Sequence, residues 1–360
     1  MELKEIFNKN YSFILVGFSD LPELHYPLLV SFYLVYVLTL IGNTVIVAVV
    51  LMNNPLHSPM YYFLCNLAFL DICYTTTTLP KLIQLHSEQD GTICFASCLL
   101  QQYFYISFAV SEYFLLAAMA YDRYVAICKP LHYSVLMSRK VCVLLAKGCW
   151  VIGFVSSSVP ISFSSGFQFC RSKMINHFFC DLTALLKLAC NKISDIQVVI
   201  FTESITLALL PFLFTLASYA TIVHTILGIH SETGRSKAFS TCASHLTVVG
   251  LFYGTMIGVY MRPSSMYFPA HDKLFALLYT AVIPMLNPII YTLRNTEVTD
   301  VLRKTVTVYL LRWHIGLREH ISEFAIVFCH FLSKALRKNL ASLQNACCRP
   351  KKDPKGFNVQ

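Results

Sequence analysis

Three groups of residues in this 360-residue chain lie where polar chemistry is expensive. Asp71 and Glu112 each sit inside a long apolar run, Asp122-Arg123-Tyr124 closes one such run, and Asn287-Pro288-Ile289-Ile290-Tyr291 lies low in another. A charge in the hydrocarbon of a bilayer costs about 2.5–3.5 kcal/mol on insertion scales, so each is a functional candidate by default. Two close carboxylates rarely ionise together, so Asp71 and Glu112 facing one interior can share a sodium ion or a proton. The plainer alternative is that each hydrogen-bonds to Asn43 or to nearby Ser and Thr groups. An acid beside an arginine at a membrane edge can hold an ion pair that a conformational change releases. The plainer alternative is an arginine snorkelling to the headgroups. Pro288 removes a backbone donor and frees a carbonyl, which makes either a hinge or a static kink.

Enzyme chemistry finds no comparable support. There is no Gly-rich phosphate loop, no His-Glu-x-x-His and no paired Cys-x-x-Cys. Neither enzymatic activity nor a cofactor is expected. His177, Cys180 and Asp181 are close in sequence, but half of a disulfide explains Cys180 better than a zinc ligand does.

The elements that must position these groups are membrane spans. The chain is 56% hydrophobic and only 13% charged, with mean hydropathy +0.59, whereas soluble domains carry roughly 25% charged residues. Crossing a bilayer takes about 20 apolar residues. Seven segments qualify: Tyr26–Met52, Pro59–Lys81, Cys98–Tyr121, Val141–Ser162, one within Gln197–Leu227, Ala238–Tyr260 and Leu274–Leu293. The expected fold is an all-α membrane protein, a seven-transmembrane helix bundle. Its parts are an N-terminal segment 1–25, the bundle 26–293, a juxtamembrane amphipathic helix 294–304 and a basic tail 305–360. No cleavable signal peptide is expected, because Glu2, Lys4, Glu5 and Lys9 precede no short apolar core with a cleavage site.

Seven spans put the termini on opposite sides, and charge orients them. The N-terminus and the loops on its side carry 9 Lys and Arg; the opposite loops and the tail carry 18. The positive side faces the cytoplasm, so the expected location is the plasma membrane, multi-pass, with the N-terminus extracellular and the C-terminus cytoplasmic. Asn10-Tyr11-Ser12, the one Asn-x-Ser/Thr acceptor in the chain, lies on the extracellular side. So do Cys94, Cys98, Cys170, Cys180 and Cys190, where disulfides persist. Five is odd, so two bridges and one thiol are expected, and four cysteines allow three pairings.

Several stretches together resemble the odorant receptors, a branch of the rhodopsin-like G-protein-coupled receptors. They are Gly42-Asn43, Leu56-His57-Ser58-Pro59-Met60-Tyr61, Asn66 through Asp71, Met119 through Cys128, Ser218-Tyr219, Lys237 through Leu246, and Pro284-Met285-Leu286-Asn287-Pro288 with Tyr291. The resemblance covers about residues 1–304. It implies a small volatile odorant bound in the bundle, and a heterotrimeric stimulatory (olfactory) G protein that raises cyclic AMP. It pairs Cys98 with Cys180 and Cys170 with Cys190, leaving Cys94 unpaired. It matches Asp71 and Glu112 to an intramembrane acidic pair. It also makes Arg123, flanked by Asp122 and Tyr124, the arginine released on activation, with Tyr219 and Tyr291 moving towards it.

The resemblance further places Ile106, Ala109, Val110, Tyr113, Glu203, Tyr253, Met256, Tyr260, Leu277 and Thr280 at the ligand cavity. Their spacing of three or four along each helix suits one interior face, though ordinary interhelical packing would use the same spacing. Glu203 either recognises an amine or polar odorant or is a solvated helix-end carboxylate.

The chain departs from the family pattern after Lys304. Phe324–Leu336 is apolar but too short to span; it reads either as an amphipathic helix on anionic lipid or as a divergent extension. Cys347-Cys348 is a palmitoylation candidate or an unmodified pair. Residues 294–360 hold 12 basic and 5 acidic residues, the remainder 16 and 14, so most of the net charge of +9 lies in the tail. It is read as facing membrane lipid, and no nucleic acid partner is expected. The competing readings are the same fold sensing a metabolite outside olfaction, a receptor kept from signalling by its tail, and, more remotely, a multi-span transporter.

Overall fold

The computed structural model describes residues 12–19, 22–53, 56–169, 172–190, 194–260, 269–293, 299 and 301. Within them are seven long helices: α1 (His25–Met52), α2 (Pro59–Glu88), α3 (Phe95–Cys128), α4 (Arg139–Ser165), α5 (Ser194–Leu227), α6 (Glu232–Tyr260) and α7. The last runs through Pro269–Leu277, a π-helical turn at Leu278–Val282, and Ile283–Leu293. Helices are the expected solution, because backbone amides in hydrocarbon must be satisfied within their own segment. Five of the seven are long and apolar enough to cross a membrane by themselves. The other two, α2 and α6, carry more polar residues. In α2 these point inward, with Asp71, Thr75 and Thr78 all buried.

The burial pattern is that of a membrane protein. Tyr26, Val30, Tyr33, Leu144, Val151, Val155, Leu210 and Leu213 are exposed, while Asn43, Asp71, Gln102, Glu112 and Asn287 are buried. α3 is the axis. Over three-quarters of its apolar span is buried, against less than a third for α1 and α4. The close approach of α4 to α3 depends on Gly153, where a Cβ would sit 2.1 Å from Ser111 Oγ. Beside it, the hydroxyls of Ser107 and Ser157 are 2.6 Å apart and the Tyr103 hydroxyl donates to Phe154 O at 3.1 Å. Such small-residue contacts are how helices associate where no hydrophobic force separates them from lipid.

Helix ends differ from the sequence expectation in a consistent direction. α2 passes Lys81 and stops at Glu88, followed by Gln89 in the left-handed region at φ 53°. Lys81 does not end the helix because its Nζ reaches Gln84 Oε1 at 3.2 Å and Thr92 O at 2.8 Å. A flexible lysine carries its charge to the polar edge without breaking the helix below it.

A small sheet caps the Cys98 end of the bundle. β1 (Ser12–Leu15) pairs antiparallel with β2 (Thr92–Cys94), with Phe13 opposite Ile93, and parallel with β3 (Met174–Ile175), with Leu15 opposite Ile175. Phe13 and Leu15 bury against Phe95, Phe167 and Phe169, and Phe13 meets Phe169 edge-on at 4.9 Å between ring centroids. No periodic signal announces strands of four, three and two residues.

Candidate functional site

The interior face of α3 comes first because the other groups are arranged along this helix. Ala109, Val110 and Tyr113 are buried and Ile106 is half-buried. The Tyr113 ring stacks on Tyr253 of α6 at 5.9 Å, and Phe212 of α5 lies 4.6 Å from Tyr253. The Tyr253 hydroxyl is buried with no hydrogen-bond partner among the described residues. Thr280 is buried, but its hydroxyl donates to Ala276 O at 2.7 Å, within its own helix. Leu277 packs half-buried at the core edge, and Glu203 is half-buried in α5. The side chains of Met256 and Tyr260 lie outside the described residues.

Below this face is a buried polar centre. Asn287 Nδ2 donates to both carboxylate oxygens of Asp71, at 3.2 and 3.0 Å. Asn43 does not reach the acids as a donor. Its Nδ2 donates to Thr39 O and to Pro284 O, both at 3.0 Å, tying α1 to α7. Glu112 is near enough to Asp71 for their charges to interact. Three buried oxygens here, Glu112 Oε1, Asn43 Oδ1 and Asn287 Oδ1, have no donor among the described residues. Carboxylate and amide oxygens are the donor types a hard cation takes, and a buried acceptor without a donor calls for a partner.

At the far end of α3, Arg123 Nε donates to Asp122 Oδ2 at 2.9 Å, and a second guanidinium nitrogen closes on the same oxygen. Asp122 is fully buried and also accepts from the Tyr133 hydroxyl at 2.8 Å. Tyr133 opens the short turn Tyr133–Leu136 after α3. Burial, and then the Asp122 carboxylate, raise its phenol above the ordinary value. Tyr124 packs with Ala120, Tyr219 and Ile222, and Lys129 Nζ stands 5.6 Å from its ring centre. Tyr219 holds His245 of α6, its hydroxyl 2.5 Å from His245 Nδ1. The Tyr291 hydroxyl is buried without a partner among the described residues. α7 changes register at Leu278–Val282, ahead of Pro288, which lies inside a continuing helix.

Sequence reasoning did not single out Tyr133 or His245 as partners of these groups, nor Gln101. Gln101 Nε2 donates to Thr77 O at 2.9 Å and its Oε1 accepts from Cys180 N at 3.0 Å, so it joins α2, α3 and the loop. Nothing local in the sequence signals contacts across so many residues.

Cys98 and Cys180 form a disulfide with Cα atoms 5.4 Å apart, pinning the loop to the start of α3. Cys190 is also disulfide-bonded, while Cys170 lies outside the described residues, as do Asn10, Cys347 and Cys348. Cys94 is a free, buried thiol 3.0 Å from Ser97 Oγ. His177 stacks on Phe178 at 4.8 Å. Asp181 caps the short helix Leu182–Leu188, accepting from Ala184 N at 3.1 Å.

Burial lowers His177 to about 4; Lys273 and Lys187 add to the shift and Asp181 opposes it. The unfolded chain, with an ordinary histidine near 6.5, then binds the extra proton between those values. Stability is full above about pH 6.5 and falls as pH drops towards 4, by at most about 1.4 kcal/mol per pH unit. Thermal melts of the purified protein from pH 7.5 to 4.5 are expected to show this fall, and His177→Phe to flatten it. Parallel curves for both proteins would refute this account.

A heptahelical bundle whose buried third helix offers an interior face midway and a pinned arginine at its end is the architecture of a rhodopsin-like G-protein-coupled receptor. Comparison with known proteins narrows the class. The olfactory receptor family profile matches residues 32–308. The chain is 44% identical over 304 residues to human olfactory receptor 1L6, covering 84% of this chain and 88% of that one. It is 45% identical over 294 residues to human olfactory receptor 5B12, covering 82% and 94%. To mouse olfactory receptor 6B9 the identity is 47% over 294 residues, covering 82% and 93%. The chain belongs to the olfactory receptor family, a family of multi-pass plasma-membrane receptors and not of enzymes.

Proposed function

We propose that this receptor binds a small volatile odorant among α3, α5, α6 and α7 and activates a heterotrimeric stimulatory (olfactory) G protein, raising cyclic AMP. The observation that carries this reading is the continuity of α3. One buried helix joins the Ile106–Tyr113 face to Arg123, which Asp122 holds closed while the Tyr133 hydroxyl donates to Asp122. Displacement of α6 at Tyr253 by a ligand changes the packing of His245 and Tyr219 on the same helix pair, and with it the surroundings of Arg123. In this reading Arg123, Tyr219 and Tyr291 form the coupling end, and Asp71 with Glu112, Asn43 and Asn287 holds a sodium ion. The N-terminus is extracellular and carries the glycan at Asn10. The tail 305–360 lies in the cytoplasm against membrane lipid.

The test is an odorant panel on cells expressing the chain, with and without residues 305–360, read by cyclic AMP. A response to at least one odorant class is expected. Silence of both forms at normal surface levels would leave the fold standing and overturn the signalling.

A further inference from the structure

We infer that Gln102 is the polar anchor of the ligand site and selects odorants bearing a hydroxyl group. The inference rests on the reading of α3 as the ligand-binding helix. Its starting point is a side chain that packing alone does not explain. Gln102 is completely buried, and neither its Oε1 nor its Nε2 has a hydrogen-bond partner among the described residues. An orphaned buried amide keeps its full desolvation penalty.

The phase of α3 shows where this amide points. Tyr103 and Ser107 face α4, as their bonds to Phe154 O and Ser157 Oγ establish. Gln101 and Tyr105 face α2 and α7, bonding to Thr77 O and the Tyr279 hydroxyl. Between these two stripes, Gln102, Ile106, Ala109 and Tyr113 recur at steps of four, three and four, which places them on one face. At 1.5 Å per residue the stripe is roughly 16 Å long. It begins at the Gln102 amide, passes Ile106 and Ala109, and ends where Tyr113 stacks on Tyr253.

The chemistry of the head group follows from the amide. Gln presents an acceptor and donors side by side. A hydroxyl satisfies both, donating to Oε1 while accepting from Nε2. An aldehyde, ketone or ether can only accept, so it leaves Oε1 orphaned. A hydrocarbon leaves both atoms orphaned. A carboxylate would add a buried charge with no cation on this stripe. The apolar stripe takes the carbon skeleton.

The experiment uses the purified full chain in lipid nanodiscs, with thermal midpoint as the binding readout. Probes are sets sharing one carbon skeleton, straight or monocyclic: the primary alcohol, the aldehyde, the methyl ether and the alkane. Alcohols are expected to raise the midpoint more than their matched partners. In Gln102→Leu and the longer, unbranched Gln102→Met, that preference is expected to vanish and the midpoint without ligand to rise. For alcohols active in cells, the concentration for half-maximal cyclic AMP is expected to increase about thirtyfold, the equivalent of two lost hydrogen bonds.

Three results would overturn the inference: no midpoint shift with any alcohol, equal shifts for alcohol and alkane, or an alcohol preference surviving in both variants. Binding without any cyclic AMP response would refute the signalling reading and leave the role of Gln102 intact. A cyclic AMP response confined to non-alcohols would do the reverse.

Discussion

Replacing Arg123 with alanine is expected to reduce odorant-evoked cyclic AMP to the level of cells lacking the receptor, with surface levels close to the unmodified chain. The expectation comes from how little else the guanidinium does. Its bonds to Asp122 are to the adjacent residue and hold no two helices together. Asp122 keeps a second partner, the Tyr133 hydroxyl at 2.8 Å, so removing the arginine does not orphan the buried carboxylate. Breaking a buried pair ordinarily costs 3–5 kcal/mol, in the order of about half a domain's stability, because the remaining charge has nothing. Here it retains a donor, and the site lies at the end of the span where water is near. Fold and trafficking therefore separate from signalling. Surface labelling and cyclic AMP in the same cells measure both. Normal signalling by Arg123→Ala would remove Arg123 from the coupling role, and loss from the surface would assign it to folding instead.

The bundle was legible because each span needs a long run of apolar residues, and the charges inside those runs were conspicuous. Asp71, Glu112 and Arg123 stood out without any knowledge of helix phase. Partners were less legible. Of the two readings the sequence leaves open for the acids, the plainer one names Asn43, Ser and Thr as partners, yet Asn43 donates to the backbone of α1 and α7, and Asn287 donates to Asp71. Both asparagines lie in the same polar centre, and a rotation of one helix decides between them. The cap of three short strands left no trace, since its pairing depends on loops brought together by Cys98–Cys180. Gln102 carries no sequence signal for a related reason. A polar residue near the end of a span reads as solvated until the structure shows it covered on every side.

The sodium ion proposed for the polar centre gives the second large effect. At constant ionic strength, replacing choline with sodium is expected to raise the thermal midpoint of the purified receptor. Asp71→Asn and Glu112→Gln should each abolish that increment. The reasoning is electrostatic. Asp71 has two donor contacts from Asn287, whereas Glu112 Oε1 has none among the described residues, and the two carboxyl groups are near enough for their charges to interact. Two buried like charges with orphaned oxygens on Asn43 and Asn287 are costly until a cation or a proton enters. A cation bound only by the folded state stabilises by about 1–3 kcal/mol when present at roughly ten to a hundred times its dissociation constant. The rival occupant, one shared proton, makes the opposite forecast. The midpoint would then ignore the choice of cation, and Glu112→Gln, which fixes the neutral form, would behave as the unmodified chain does. Equal midpoints in sodium and choline would therefore reject the ion and leave the proton. A sodium increment surviving both substitutions would move the site away from Asp71 and Glu112.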